Sequence, residues 1–269
     1  MKIVVFDLDE TLGYFTEFGV FIDCLKRYIN PKNMNDIITQ EQFNKLLDLY
    51  PEYLRPNIIN ILNYLKDKKE KNICSKVMIY TNNQGSKEWV NNIISYIQNK
   101  INYRLIDQII CAFKINGKKI ELCRTSNNKT YHDLIKCTKL PLHAEICFMD
   151  DNYFPGMSND NVYYINIKPY YNSIDFKIMC NKFCESEVSK ELLNPNYDKN
   201  KFINYMLDEF KFYNLEIIKK TEEEYNIDRI LSKKIMLHLQ EFFTKSSKNT
   251  TRVNTYKKYK KNKTQKNNK

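Results

Sequence analysis

Three acidic side chains fall within four residues near the start of the chain: Asp7, Asp9 and Glu10, in Phe6-Asp7-Leu8-Asp9-Glu10-Thr11. They follow directly on the apolar run Ile3–Phe6. Carboxylates crowded at the end of a buried segment repel one another and are costly to desolvate. The arrangement is tolerable if a cation and a ligand share the space. Two further polar clusters follow apolar runs in the same way, Thr81-Asn82-Asn83 after Val77–Tyr80 and Asp150-Asp151-Asn152 after Ile146–Met149. Grouped carboxylate oxygens without His or Cys suit a hard ion, and Mg²⁺ is the one that keeps waters and binds phosphate. Beside such an ion a carboxylate can attack phosphorus. Thr81 can hydrogen-bond a phosphoryl oxygen, and a lysine is wanted to offset the charge of the transferred group.

The elements that must position these groups are legible as a pattern. The apolar runs Ile3–Phe6, Val77–Tyr80, Ile109–Phe113, Ile146–Met149 and Val162–Ile167 are continuous, as in strands buried on both faces of a parallel sheet. Helical patterns lie between them at Pro56–Lys69, at Ser86–Lys100 with Ser86 as N-cap, and at Lys129–Leu140. The alternation predicts an α/β fold with a central parallel sheet flanked by helices. Ligands of such sheets lie at the carboxyl ends of the strands, where the three polar clusters fall.

The string Asp7-Leu8-Asp9-Glu10-Thr11-Leu12, with Thr81 after the second strand and Asp150-Asp151 after the fourth, resembles the haloacid dehalogenase-like superfamily over residues 1–170. Glu10 in place of glycine, and Leu54-Arg55-Pro56 before the second strand, are similar to the NLI-interacting-factor-like and RNA polymerase II C-terminal-domain phosphatases. Asp150-Asp151 departs from the Asp-Asn usual in those phosphatases and matches the wider superfamily. The resemblance implies a Rossmann-like fold and an Mg²⁺-dependent phosphatase working through an aspartyl phosphate. It implies Asp7 as nucleophile and metal ligand, and Asp9 as general acid and then base, holding metal through its backbone carbonyl. It implies Thr81 and the Asn82 amide as phosphate contacts, Asp150 as a direct metal ligand and Asp151 as one acting through water. Lys129, at the start of its helix, is the expected motif lysine, with Lys136 and Lys139 as alternatives and Arg124 as an additional phosphate contact. The implied substrate is a phosphoserine or phosphothreonine protein. Nucleic-acid ends or nucleotides are the alternative, and a phosphate-binding scaffold without activity is the third reading.

Residues 13–50 interrupt the simple alternation and are expected as a small insertion or flap on a domain spanning 1–185. Helical patterns at Lys201–Lys220 and Thr221–Phe243 are expected to form an appendage over 186–244. Residues 245–269 carry nine lysines, one arginine and no acid, which is nearly all of the net charge of +11. That segment is expected to be a disordered basic tail, either simply solvated or serving as an import signal or a nonspecific nucleic-acid contact. The eight cysteines form no C-x-x-C pair and several sit in apolar runs, so reduced thiols in a cytoplasmic or nuclear compartment are expected. His132 is expected on a helix surface, not as a base. No apolar run reaches the length of a membrane span, and the N-terminus reads directly as a strand, so no signal peptide is expected.

Overall fold

The computed structural model describes residues 1–33 and 37–245. Five strands form a parallel sheet in the order β3-β2-β1-β6-β7, with β1 at Lys2–Phe6, β2 at Lys76–Tyr80, β3 at Ile106–Ile110, β6 at Glu145–Asp150 and β7 at Val162–Asn166. A hairpin of β4 (Lys114–Ile115) and β5 (Lys118–Lys119) stands apart, turning through Asn116 and Gly117 at positive φ. The chain runs from β1 outward to β2 and β3, then crosses to β6 on the other side of β1. That reversal places a crevice at the carboxyl end of β1.

The central strands bury both faces, as their unbroken apolar runs require. Val4, Phe6, Val77, Ile79, Cys147 and Met149 face the larger core, and Ile3, Val5, Met78, Tyr80, Ile146 and Phe148 face the smaller one. The larger core is covered by α1 (Thr16–Ile29), α2 (Gln40–Asp48), α3 (Ile58–Glu70) and α4 (Lys87–Lys100). The smaller is covered by α5 (Tyr131–Thr138), through Leu134, and by Leu140 and Met157.

The two helices of the 13–50 stretch, α1 and α2, are built into the larger core. Phe18, Phe21 and Leu25 of α1 and Phe43, Leu46 and Leu47 of α2 are all buried there. The C-terminal helices share the same core: α6 (Phe176–Cys184), α7 (Glu187–Leu192), α8 (Lys199–Phe212) and α9 (Glu222–Thr244). Phe183 packs on Phe21 and Phe202 on Tyr28, while α9 lays Phe242 against Tyr163 of β7. A capping box at Thr221 starts α9, and the helix expected to run to Lys220 ends at Phe212. The expected tail, past Lys245, lies outside the described residues.

Two boundaries differ from expectation for identifiable reasons. The third strand is Ile106–Ile110, displaced from the apolar run 109–113. It is an edge strand with Asp107 exposed, so its own pattern is mixed, and the remainder of the run leaves the sheet toward the hairpin. Pro56 does not start α3; Asn57 adopts a left-handed conformation and the helix begins at Ile58.

The expectation of eight reduced cysteines is corrected. Cys123 and Cys137 form a disulfide that ties the segment before α5 to the end of that helix, while six cysteines remain free. The reduced-compartment expectation rested on eight free thiols, and this pair removes that footing. Among the described residues no helix is long and apolar enough to cross a membrane.

Candidate functional site

The register of the sheet sets the site. Phe6 stands level with Ile79 of β2 and Met149 of β6, so the residues that follow emerge side by side. The Asp7 N–H donates to the Met149 carbonyl at 2.8 Å, extending the ladder one residue into the site. Carboxylate oxygens of Asp7, Asp150 and Asp151 lie within 4.8 Å of one another. Lys129 is buried between them. Its ammonium donates to Asp7 Oδ1 and, at 2.7 Å, to Asp150 Oδ2. Lys129 is 1% exposed, Asp150 0% and Asp7 6%.

Lys129 is therefore the lysine of this site. Lys136 and Lys139 are exposed on the helix and its end, and His132 is exposed as expected. Lys129 does not begin the helix, however. Thr130 is the N-cap, accepting the Asp133 N–H at 3.0 Å, and α5 starts at Tyr131. This places Lys129 on an extended approach, from which its side chain enters the strand ends.

The loop 8–13 is tightly wound and held from outside. Glu10 sits at φ 54°, and its N–H donates to the Gly13 carbonyl. Gly13 is obligatory here because a Cβ would lie 2.4 Å from the Tyr53 carbonyl oxygen. Arg55, buried, donates through Nε to the Thr11 carbonyl at 2.6 Å and through Nη2 to the carbonyls of Glu10 and Lys168. Thr11 Oγ1 donates to Asp151 Oδ1 and accepts the Asp151 N–H, joining the first cluster to the third.

At the end of β2, Thr81 Oγ1 accepts the Asn83 N–H at 2.9 Å, which leaves its proton free to donate. Asn83 in turn donates to Asp9 Oδ2 at 2.7 Å. The side chains of Arg124 and Asn82 are engaged with each other and with backbone carbonyls. Arg124 is buried, donating to the carbonyls of Thr81, Cys111 and Asn127 and to Asn82 Oδ1, with its guanidinium over the Tyr80 ring. The Asn82 side chain accepts from Arg124 and donates to the Asn127 carbonyl. Both side chains fasten the loop that carries Lys129, so the direct phosphate contact expected of Arg124 is not made available by this geometry. Sequence reasoning missed Asn83 and the anchoring role of Arg55. Asn83 was visible only as one more polar residue at a strand end.

The electrostatics are those of a site with surplus negative charge. Burial pushes the Asp9 carboxyl up to about 6, against the Asn83 hydrogen bond and with the help of Asp7. Burial and the charges of Asp9, Asp151 and Asp7 push Glu10 up to about 8. Burial also raises Asp150 and Asp151, Lys129 pulling each back. Burial lowers Lys129, but Asp7 and Asp150 outweigh it, so the ammonium stays charged. One buried cation thus serves several buried acids. The donor set is all oxygen and fits a hard divalent ion bound by Asp7, Asp150 and Asp151.

Comparison with known proteins adds no relative: no protein-family model, curated protein or solved structure matches this chain significantly.

Proposed function

We propose that this chain is an Mg²⁺-dependent phosphomonoester hydrolase acting through an aspartyl phosphate on Asp7. The observation that carries the reading is Lys129 bridging Asp7 and Asp150, side chains that arrive from separate strand ends with Asp151 close by. Asp7 Oδ attacks phosphorus as the bond to the leaving oxygen breaks, and Asp9 gives that oxygen its proton. Asp9 then takes a proton from water, whose oxygen attacks the phosphoryl group. Inorganic phosphate leaves and the Asp7 carboxylate is restored. Lys129 and the Thr81 hydroxyl hold phosphoryl oxygens. Asn83 fixes the Asp9 carboxyl, and its raised pKa suits a group that must first be an acid and then a base. A hard cation held by Asp7, Asp150, Asp151 and the Asp9 carbonyl supplies charge neutralisation at the phosphoryl oxygens when bound.

The surplus of buried acid supports this reading over a phosphate-binding scaffold, because a site built only to hold phosphate gains nothing from extra carboxylates. The resemblance of the Asp7–Leu12 string to the C-terminal-domain phosphatases supports a phosphoserine or phosphothreonine protein as substrate. Of the alternatives, nucleotides or nucleic-acid ends, the cleft described next favours nucleotides. The test of the reaction is phosphate release from a generic aryl phosphate. Turnover should require Mg²⁺ and should vanish in Asp7→Asn; an Asp7→Asn protein that keeps full activity would exclude the aspartyl phosphate.

A further inference from the structure

A cleft of about 470 Å³ opens beside Asp9, between α1 and the start of α4. Its volume lies within the roughly 300–1,000 Å³ of small-molecule sites. Asp9 is the group that would protonate the leaving oxygen, and it lines this cleft, so the cleft adjoins the side of the site from which a leaving group would depart. Phe15, Phe43 and Trp89 supply its aromatic wall, and Asn83, Gln84 and Asn92 its amides.

Trp89 is held as a rigid plate. It packs against Phe18 and edge-on against Phe43, and Ser86 caps its helix by accepting the Trp89 N–H. Two glycines make room for its ring. A Cβ on Gly19 would sit 3.3 Å from Trp89 Cζ2, and one on Gly85 would sit 3.0 Å from its Cδ1 and 2.8 Å from Asn83 Oδ1. The chain has only five glycines, and two of them line this cleft against one ring.

We propose, resting on the phosphatase reading above, that this cleft is a leaving-group subsite for a nucleoside, and that the substrate is a nucleoside monophosphate. A fixed aromatic plate offers the stacking surface that bases of any sequence accept. Asn83 is engaged by Asp9 and by the Gly85 N–H, but Asn92 and Gln84, whose Nε2 spends one N–H on the Asn82 carbonyl, bring amides of the kind that base edges require. Charge sets a further limit. Asp23 and Glu88 accompany Lys26, which pairs with Glu88 at 3.7 Å, so the cleft carries no positive excess for further phosphates. It suits a neutral nucleoside better than a polyanionic strand. A phosphoserine peptide fits less well, because one methylene beyond the leaving oxygen lies a peptide backbone whose N–H and C=O groups need partners of their own.

Two measurements test the subsite separately from the chemistry. Trp89 is the only tryptophan, so its fluorescence reports the cleft whether or not the protein turns over phosphate. An unphosphorylated nucleoside should quench it saturably at up to millimolar concentration; no saturable quenching overturns the subsite. With Mg²⁺, kcat/KM should be higher for a nucleoside monophosphate than for a phosphoserine peptide, a 3′-phosphorylated oligonucleotide or acetyl phosphate. Trp89→Leu should cut the preference for the nucleoside monophosphate over acetyl phosphate by about tenfold. Gln84→Ala, on an exposed loop, should lower the same ratio without risk to the core. A preference for the peptide or the strand, or ratios unmoved in both variants, overturns the proposal. Saturable quenching without turnover of any phosphate ester would instead keep the subsite and remove the phosphatase reading.

Discussion

Asn83 Nδ2 donates to Asp9 Oδ2 at 2.7 Å, joining the polar end of β2 to the wound loop after β1. The bond favours the charged carboxylate, so losing it should raise the Asp9 pKa further above about 6. Asp9 must be protonated to release the leaving group, and the limb of kcat/KM that falls as Asp9 ionises should move to higher pH in Asn83→Ala. The loss of orientation should lower kcat by up to about a hundredfold. A pH–rate profile of the variant checks both. An unmoved limb would mean that Asn83 does not govern Asp9. Gly85→Ala should reproduce part of the effect, since its Cβ would press on Asn83 Oδ1.

Lys129 offsets two buried carboxylates. Removing one member of a buried ion pair costs roughly 3–5 kcal/mol, because the partner is left unpaired. Lys129→Met should therefore be destabilised by about that amount without divalent cations and should be inactive. Added Mg²⁺ should raise its Tm by more than it raises that of the parent protein, since the cation then meets uncompensated Asp7 and Asp150. Thermal unfolding with and without Mg²⁺ reads the difference; equal shifts would count against a metal at these carboxylates.

The Cys123–Cys137 bond closes a loop with a sequence separation of 14, and Lys129 lies inside it. A cross-link over a loop of about 15 residues stabilises by roughly 3 kcal/mol in the chain-entropy model. Cys123→Ser with Cys137→Ser should lose stability of that order, and activity should fall because the approach to Lys129 is released. Comparing the double variant with the parent in denaturant, and the parent with and without a dithiol, checks this. A parent whose turnover ignores full reduction would show that the loop holds Lys129 unaided.

Glu17 is fully buried on α1, accepting the Ile174 N–H and the Tyr53 hydroxyl at 3.1 Å each, with the Ser173 side chain also hydrogen-bonding it. Burial raises its pKa above the ordinary 4.5, outweighing those hydrogen bonds. Over that interval the folded protein holds a proton that the unfolded chain has released. Stability from Glu17 is thus fully present below about pH 4.5 and is lost as pH rises through the raised value. Glu17→Gln should flatten this part of the stability curve, gaining on the parent as pH increases. Urea midpoints across the range measure it, and parallel curves for the two proteins would contradict the assignment.

The strands that bury both faces could be read directly, because β1, β2 and β6 are unbroken apolar runs that need no context. β3 could not, since an edge strand exposes Asp107 and its pattern mixes the two environments. The same division holds in the site. Asp7, Asp9, Thr81 and Asp151 follow strands and Asp150 ends one, so strand order alone sets them along one edge of the sheet, and Lys129 was reachable because it precedes an obvious helix. The anchoring bonds of the Arg124 side chain were not legible, because most of its partners are backbone carbonyls, which carry no side-chain pattern. The disulfide was invisible for a related reason: its partners are joined by the path of a loop, and spacing does not specify connectivity.

Lys2, at the amino end of β1, donates to the carbonyls of Phe242 and Lys245 at 2.5 and 2.7 Å. The last described residue is thereby fastened to the opposite end of the strand that delivers Asp7. With roughly 3.3 Å per residue, the five residues of β1 separate the two ends by about 17 Å. A reporter attached at Lys245 itself therefore sits at the rear of the sheet, on the far side from the carboxylate face.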